Sequence, residues 1–343
     1  MKKIKVAING FGRIGRSFLR AGLKRPEIEI LAINDLGDLA NLAYLLKHDS
    51  AYHQWPHQVE IDKEKNLLIV DGQEIKFFQE KEPKNLPWAD LGIEIVVEST
   101  GVFTSYQAMK SHLEAGAKRV VLSAPAKGEG EGKEGRTILM GINEEELKNF
   151  VLTSNGSCTT NSVACLAYIL SEKIGIEKAI LNTIHAYTAT QRIVDGPAKK
   201  DWRRGRAGAV NLIPTTTGAA TTVTKVVKNL ENLFDGLAIR TPVLVGSLSD
   251  FTFLAKKKVS KEEVVDILYQ ESQKERWQGI LKVSFEPLVS TDIVGDPYPC
   301  IVDAGMTKVI DGNLVKILAW YDNEEGYTQT LLTHIIKAGS FLS

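Results

Sequence analysis

Ile4-Lys5-Val6-Ala7-Ile8-Asn9-Gly10-Phe11-Gly12-Arg13-Ile14-Gly15-Arg16 opens the chain and decides its fold class. Residues 4–9 read as a short parallel strand, and Arg16 to Leu23 as a helix. Between them the glycines of a G-x-G-x-x-G turn permit a tight bend and close backbone approach. The helix N-terminus is then free to face a pyrophosphate. A second strand, Ile28 to Ile33, ends in Asn34-Asp35, and Asp35 stands 20 residues after Gly15. A carboxylate at that distance bonds the adenosine ribose hydroxyls and repels a 2′-phosphate, so the expected cofactor is NAD rather than NADP.

Working outward, alternation predicts a small antiparallel set at Val59 to Ile61, Asn66 to Val70 and Gln73 to Phe78. A buried strand at Ile93 to Val97 leads to Glu98-Ser99-Thr100-Gly101. A helix from Ser105 to Ala115 follows, then a strand from Arg119 to Leu122 ending at Ser123-Ala124. Strands alternating with helices indicate an α/β Rossmann-type doubly wound parallel sheet. Ligands lie at the carboxyl ends of such strands, which places Thr100, Gly101, Ser123 and Ala124 along a cofactor cleft. The glycine-rich, charged run Lys127 to Gly135 lacks the Walker spacing and reads as a flexible surface loop. A strand from Thr137 to Gly141 and a helix from Glu144 to Asn149 come next.

Phe150-Val151-Leu152 reads as a short strand, and Ser154-Asn155-Gly156-Ser157-Cys158-Thr159-Thr160-Asn161 leads into a helix whose stripe is Val163, Leu166, Ile169 and Leu170. Cys158 falls at the helix start, where unsatisfied N–H groups and the dipole favour a thiolate. The texture then changes to an α+β domain with a large mostly antiparallel sheet. Its strands are read at Leu181 to Thr188, Leu237 to Arg240, Ser249 to Ala255, Cys300 to Asp303, Lys308 to Ile310 and Val315 to Trp320. Its helices are read at Ala219 to Val227 and Ser260 to Glu275, the latter capped by Ser260 with Glu263 three residues on. The first strand carries His185 and Thr188. Between Ala189 and Asn211 lies an irregular segment with a charge run, Lys199 to Arg206; a loop of that length in a compact domain is usually functional. The boundaries expected are 1–157 for the dinucleotide domain, 158–321 for the catalytic domain, and a final helical segment, 322–343, returning to the first.

The chain has 343 residues, 43% of them hydrophobic and 24% charged, as in ordinary globular proteins. Lys+Arg and Asp+Glu are both 42, a balance that argues against a dedicated nucleic-acid site or an acidic membrane as partner. No apolar run approaches the ~20 residues of a membrane span. Cys158, Cys165 and Cys300 form a sparse, odd set that fits a reducing cytoplasm. No metal-ligand set is read.

A cysteine at a helix start, a strand histidine and Thr/Arg positions, with NAD alongside, suit covalent oxidation of an anionic aldehyde. The histidine accepts the thiol proton, and a hemithioacetal on Cys158 loses hydride to become a thioester. The sequence resembles the phosphorylating glyceraldehyde-3-phosphate dehydrogenase family over essentially its whole length. The motifs are NGFGRIGR (9–16), IND (33–35), STG (99–101), SAPAK (123–127), SCTTN (157–161), HAYTATQ (185–191), IPTTTGAA (213–220) and WYDNE with Gly-Tyr (320–327). The resemblance implies oxidation of D-glyceraldehyde 3-phosphate to 1,3-bisphosphoglycerate with NAD and inorganic phosphate, in glycolysis and gluconeogenesis. It also implies a cytoplasmic homotetramer. Cys158 becomes the nucleophile and His185 its base. Gly10, Phe11, Gly12, Arg13, Ile14, Gly15, Asn34, Asp35, Thr100, Gly101, Ser123, Ala124, Asn323 and Tyr327 become cofactor residues. Ser157, Thr159, Arg204, Thr217 and Gly218 match the inorganic-phosphate region, and Thr188 and Arg240 the substrate's own phosphate. Erythrose-4-phosphate dehydrogenase is the nearest alternative, and a silent NAD- or RNA-binding protein a more distant one. Gly156 departs from the usual Ala before the nucleophile, Ser162 from a frequent second cysteine, and Glu325 from an aromatic residue or Thr.

Overall fold

The computed structural model describes residues 3–199 and 201–342. Met1, Lys2, Ser343 and, within the charge run at 199–206, Lys200 lie outside them. The chain divides into two compact units, Met1–Gly156 with Leu331–Ser343, and Ser157–Thr330.

The first unit carries β1 (Ile4–Asn9), α1 (Arg13–Gly22), β2 (Ile28–Asn34), α2 (Leu39–Lys47), the hairpin β3 (His48–Asp49) and β4 (His53–Gln54), and β5 (Val59–Asp62). It continues through β6 (Leu67–Val70), β7 (Gln73–Phe78), α3 (Trp88–Leu91), β8 (Ile95–Glu98), α4 (Tyr106–Glu114), β9 (Arg119–Leu122), β10 (Arg136–Thr137) and β11 (Leu152–Ser154). Nine strands form one sheet in the order β10-β11-β9-β8-β1-β2-β7-β6-β5. From β10 through β7 every pair is parallel. The central strands β8 and β9 are buried at every position, as strands covered on both faces must be. The set at residues 59–78 is antiparallel within itself, but it is no separate sheet: β7 joins β2 in parallel and extends the main one.

The second unit carries α5 (Cys158–Lys173), β12 (Ile176–Ala186), β13 (Ile213–Thr216), α6 (Ala219–Thr224), β14 (Phe234–Thr241), β15 (Ser247–Ala255) and α7 (Lys261–Ser272). It ends with β16 (Leu281–Ser284), β17 (Cys300–Asp303), β18 (Lys308–Ile310), β19 (Leu314–Tyr321) and the start of α8 (Glu325–Gly339). Seven strands lie in the order β13-β14-β12-β15-β19-β17-β16, with β18 beside β19. Only β12–β14 and β16–β17 are parallel. Strict alternation of burial along β15 gives that sheet one covered face. The second half of α8 belongs to the first unit, where a Cβ on Gly339 would come within 2.0 Å of Ile4.

Several sequence expectations shift. Helix α1 begins at Arg13, directly after the extended N-cap Gly12 and three residues before the Arg16 start read from the sequence. The strand read at 150–152 is Leu152–Ser154, and Val151 is exposed. Of the strand read at 137–141, only Thr137 falls in a paired strand, Arg136–Thr137. Helix Leu39–Lys47 was not read from the sequence, nor were strands Leu281–Ser284 and Ile213–Thr216, which at four residues each carry little pattern. The run 127–135 is also more ordered than its composition implies. Glu131 accepts from Tyr106 Oη at 2.9 Å, Thr137 N at 2.7 Å and Thr137 Oγ1 at 2.8 Å, so one half-buried carboxylate anchors the loop.

On α8, fully buried His334 ties this helix to β11 and the residues after it. Its Nδ1–H donates to Asn155 Oδ1 at 3.2 Å, and its Nε2 accepts from Thr153 Oγ1 at 2.9 Å. Burial, aided by the Arg119 charge, lowers its pKa to about 3. The folded state therefore refuses a proton that the unfolded chain binds near pH 6.5, and stability falls as pH drops from 6.5 toward 3. One such group contributes at most about 1.4 kcal/mol per pH unit in that window. Melting temperatures of His334→Asn should be below wild type at pH 7 and fall less steeply between pH 6.5 and 4. Parallel pH curves for the two proteins would contradict this.

Candidate active site

Ser157 caps α5, its Oγ accepting from Thr160 N–H at 3.1 Å, which fixes Cys158 as the first helical residue. His185 lies near the end of β12, and the parallel register of β12 with β14 sets it opposite Arg240. Cys158 Sγ is 3.4 Å from His185 Nε2. His185 Nδ1 lies 2.6 Å from Ala186 O; in the tautomer that gives its proton to this carbonyl, Nε2 faces the thiol as an acceptor. The Arg240 Nη1 group donates to the same carbonyl at 3.2 Å and lies 2.5 Å from Nδ1.

Burial pushes the Cys158 thiol up, against the lowering effect of the Arg240 charge and the Thr159 N–H. This corrects the sequence expectation: the helix start does favour the thiolate, but desolvation outweighs it. Burial lowers His185 to about 3, and Arg240 adds to that. Arg240 therefore acts in one sense on both partners, favouring thiolate and disfavouring imidazolium. A neutral imidazole beside a thiol is the state that can accept a proton as sulfur attacks.

The remaining residues read in this unit take varied positions. Thr159 is buried, and its Oγ1 is 2.8 Å from Tyr321 Oη, so its hydroxyl is committed inward. Thr188 sits just beyond β12, its N–H bonded to Gln191 Oε1 at 2.8 Å. Arg204 donates through Nε to Thr215 Oγ1 at 2.9 Å and pairs with Asp201 at 3.8 Å. Its charge still depresses both His185 and Arg240. Thr217 Oγ1 accepts from Ala219 N–H at 3.2 Å, and Gly218 occupies the N-cap of α6. Asn323 Oδ1 accepts from Gly246 N–H at 3.2 Å and Ser247 Oγ at 3.0 Å. Ser247 Oγ in turn accepts from Ala186 N–H at 3.1 Å, so Asn323 is linked to the histidine strand. Tyr327 is buried on α8.

In the first unit a cleft of about 540 Å³ lies at the carboxyl ends of the parallel strands. Gly10, Gly12, Asn34, Asp35 and Thr100 line it; Phe11, Arg13, Ile14, Gly15, Gly101, Ser123 and Ala124 do not. A Cβ on Gly10 would stand 2.5 Å from Thr100 N, and one on Gly15 2.1 Å from Gly10 O, so the turn closes only without them. A Cβ on Gly12 would meet nothing within 4 Å. Gly12 is also the N-cap of α1, and with no side chain there the helix start has room for an anion. Asp35 Oδ2 accepts from Phe11 N–H at 2.6 Å and Oδ1 from Gly37 N–H at 2.8 Å, so the carboxylate also braces the turn. Arg13 is turned away to Asp49, at 2.7 Å. An open anion cradle with a carboxylate 20 residues beyond it fits a dinucleotide. Ser123 and Ala124 lie past the end of β9, where Ala124 O accepts from Ser154 Oγ at 2.6 Å.

Comparison with known proteins agrees with both units. The family model described as glyceraldehyde 3-phosphate dehydrogenase, NAD binding domain, matches residues 4–106, and its C-terminal domain counterpart matches residues 157–323. The chain is 49% identical to glyceraldehyde-3-phosphate dehydrogenase of Thermotoga maritima over 331 residues, covering 96% of this chain and 97% of that one. It is 46% identical to the Geobacillus stearothermophilus protein of the same name, over 96% of each. Identity to glyceraldehyde-3-phosphate dehydrogenase 2 of Streptomyces avermitilis is 45% over 99% of each chain. The chain belongs to the glyceraldehyde-3-phosphate dehydrogenase family. Its α/β fold, with an NAD-binding domain followed by a catalytic one, is that family's.

Within this family frame, Gly156 has φ +65°, a left-handed conformation in which Ala is strained, so glycine eases the turn before the nucleophile. Ser162 is buried against Ser249, 3.1 Å between hydroxyls. Sequence reasoning missed Tyr321, whose Oη lies 2.8 Å from both Thr159 and Thr183 and whose ring meets His185 edge-on at 6.0 Å. Alternation along β19 was the available signal, since it turns every second residue inward. It also missed Leu36, Glu80, Lys81, Glu82 and Phe103 on the cleft wall, which no local motif marks. Because Arg240 is the strongest charge lowering Cys158, Arg240→Leu should move the pH midpoint of Cys158 alkylation by iodoacetamide upward. A downward or absent shift would show that the guanidinium does not tune the thiol.

Proposed function

We propose that this protein is an NAD-dependent, phosphorylating glyceraldehyde-3-phosphate dehydrogenase that works by covalent catalysis on Cys158. The observation that carries the reading is the 3.4 Å approach of Cys158 Sγ to His185 Nε2, which accepts in the tautomer that gives Nδ1–H to Ala186 O. Sulfur adds to the aldehyde carbon while His185 takes the thiol proton. The Cys158 N–H and the protonated ring then stabilise the adduct oxygen. The ring returns its proton to that oxygen to give the hemithioacetal, and the neutral His185 takes the hydroxyl proton back as the adduct loses hydride and becomes a thioester. The bound dinucleotide supplies the hydride acceptor for this oxidation, held by Gly10, Gly12, Asn34, Asp35 and Thr100, with Asn323 and Tyr327 as further contacts. Inorganic phosphate then attacks the acyl carbon, the C–S bond breaks, and the thiolate leaves.

Arg240 and Thr188 are assigned to the substrate's phosphate, and Ser157, Thr159, Arg204, Thr217 and Gly218 to the attacking phosphate. Arginine forks and short hydroxyls suit such oxyanions. Burial of the Thr159 hydroxyl limits that residue to its backbone N–H or to a rearranged side chain. We assign the chain to a homotetramer in the cytoplasm. Exposed apolar side chains at Ile193, Val194, Trp202, Val210 and Leu212 support assembly through the segment between β12 and β13. No helix among the described residues is long and apolar enough to cross a membrane.

Steady-state assays with glyceraldehyde 3-phosphate, erythrose 4-phosphate, phosphate and either cofactor test the reading. Phosphate-dependent reduction of NAD by the triose is expected, with Cys158→Ser lowering kcat/KM by about ten-thousandfold. Asp35→Ala should narrow the preference for NAD over NADP. Phosphate-independent oxidation of the four-carbon sugar as the main activity, or full activity in Cys158→Ser, would overturn it.

A further inference from the structure

Below the dinucleotide cleft lies a buried carboxylate that the chemistry above does not use. Glu98 ends β8 and is fully buried. Asn9 Nδ2 at 2.6 Å and His112 Nε2 at 3.1 Å, themselves 3.3 Å apart, converge on its Oε2. Its Oε1 accepts from Thr100 N–H at 2.9 Å and from the Thr100 hydroxyl. Trp88 Nε1 donates to His112 Nδ1 at 3.1 Å, so the ring's proton sits on Nε2 and points at Glu98. The bonds continue across the sheet. Asn9 Oδ1 accepts from Asn34 Nδ2 at 2.7 Å, and Asn34 exchanges bonds of 2.8 and 2.9 Å with the backbone of Glu80. The chain of bonds thus follows the strand order β8-β1-β2-β7 along the carboxyl ends. Asn9, Asn34, Glu80 and Thr100, its upper members, all line the cleft.

We propose that Glu98 is a positioning residue for the dinucleotide: its carboxylate sets the side chains of Asn9 and Thr100, and through Asn9 that of Asn34, before the cofactor arrives. The inference rests on the reading of this cleft as the NAD site. Only an acceptor on both oxygens satisfies the arrangement. A glutamine amide, whichever way it turns, places its NH2 against a donor: Asn9 and His112 on one side, the Thr100 N–H on the other. A buried donor facing a donor costs the ordering of the wall, not merely one bond. The acyl chemistry in the second unit does not depend on this wall.

Full-length wild type, Glu98→Gln and His112→Asn should be titrated with NAD by calorimetry, and kcat, KM for NAD and KM for the aldehyde measured alongside. Glu98→Gln should raise Kd and KM for NAD about tenfold, with kcat at saturating NAD and KM for the aldehyde within about twofold of wild type. His112→Asn should give a smaller change in the same direction. If folded Glu98→Gln binds NAD as wild type does, or loses kcat with an unchanged Kd, the proposal is wrong. If that variant does not fold, wild-type NAD affinity in His112→Asn overturns it equally. Failure of the wild type itself to bind NAD would instead sink the reading of the cleft.

Discussion

His185 and Arg240 stand side by side because β12 and β14 run parallel in one register, and much of the second unit follows from that pairing. Parallel neighbours cannot be joined by a hairpin, so the chain must leave β12 and cross over before it re-enters as β14. Residues 187–233 are that crossover. They supply β13, α6, the Arg204 segment and the exposed apolar positions from Ile193 to Leu212. The irregular stretch is therefore the connection that the parallel pair requires.

The same pairing governs the electrostatics. Burial and the guanidinium beside it keep the imidazole neutral, and the same charge lowers the pKa of the sulfur across the ring as well, easing loss of its proton. Neither a charged histidine nor a free thiolate is favoured by burial. The site instead holds a proton donor and a proton acceptor 3.4 Å apart, with a cation placed to stabilise the negative charge that attack creates. The Tyr321 ring, its hydroxyl bonded to Thr159 and Thr183, meets the imidazole edge-on.

What could be read in advance was local. The glycine turn, Asp35, the Ser157 cap and the start of α5 each depend on residues within a few positions, and each stands where its motif puts it. The thiol's actual environment is set by a strand 27 residues away and another 82 away, as the numbering of His185 and Arg240 shows. No periodicity encodes that burial, so the helix-start argument overstated the thiolate. Glu98 and His112 meet through the β8–α4 turn, and their link to Asn9 crosses 89 positions. In a sequence, a buried carboxylate at a strand end looks like any other turn residue. The short strands β10 and β11 were misplaced because two or three residues carry too little pattern to fix a register.

The most direct test of covalent oxidation on Cys158 is a single turnover with phosphate left out. Enzyme is mixed with NAD and glyceraldehyde 3-phosphate, NADH is followed by absorbance, and the quenched protein is digested and mapped by mass spectrometry. The account predicts a rapid burst of NADH stoichiometric with active sites, and a phosphoglyceroyl thioester on the Cys158 peptide that phosphate then discharges. Steady NADH production without phosphate and without an acyl group on Cys158, or an acyl group carried by another residue, would contradict it.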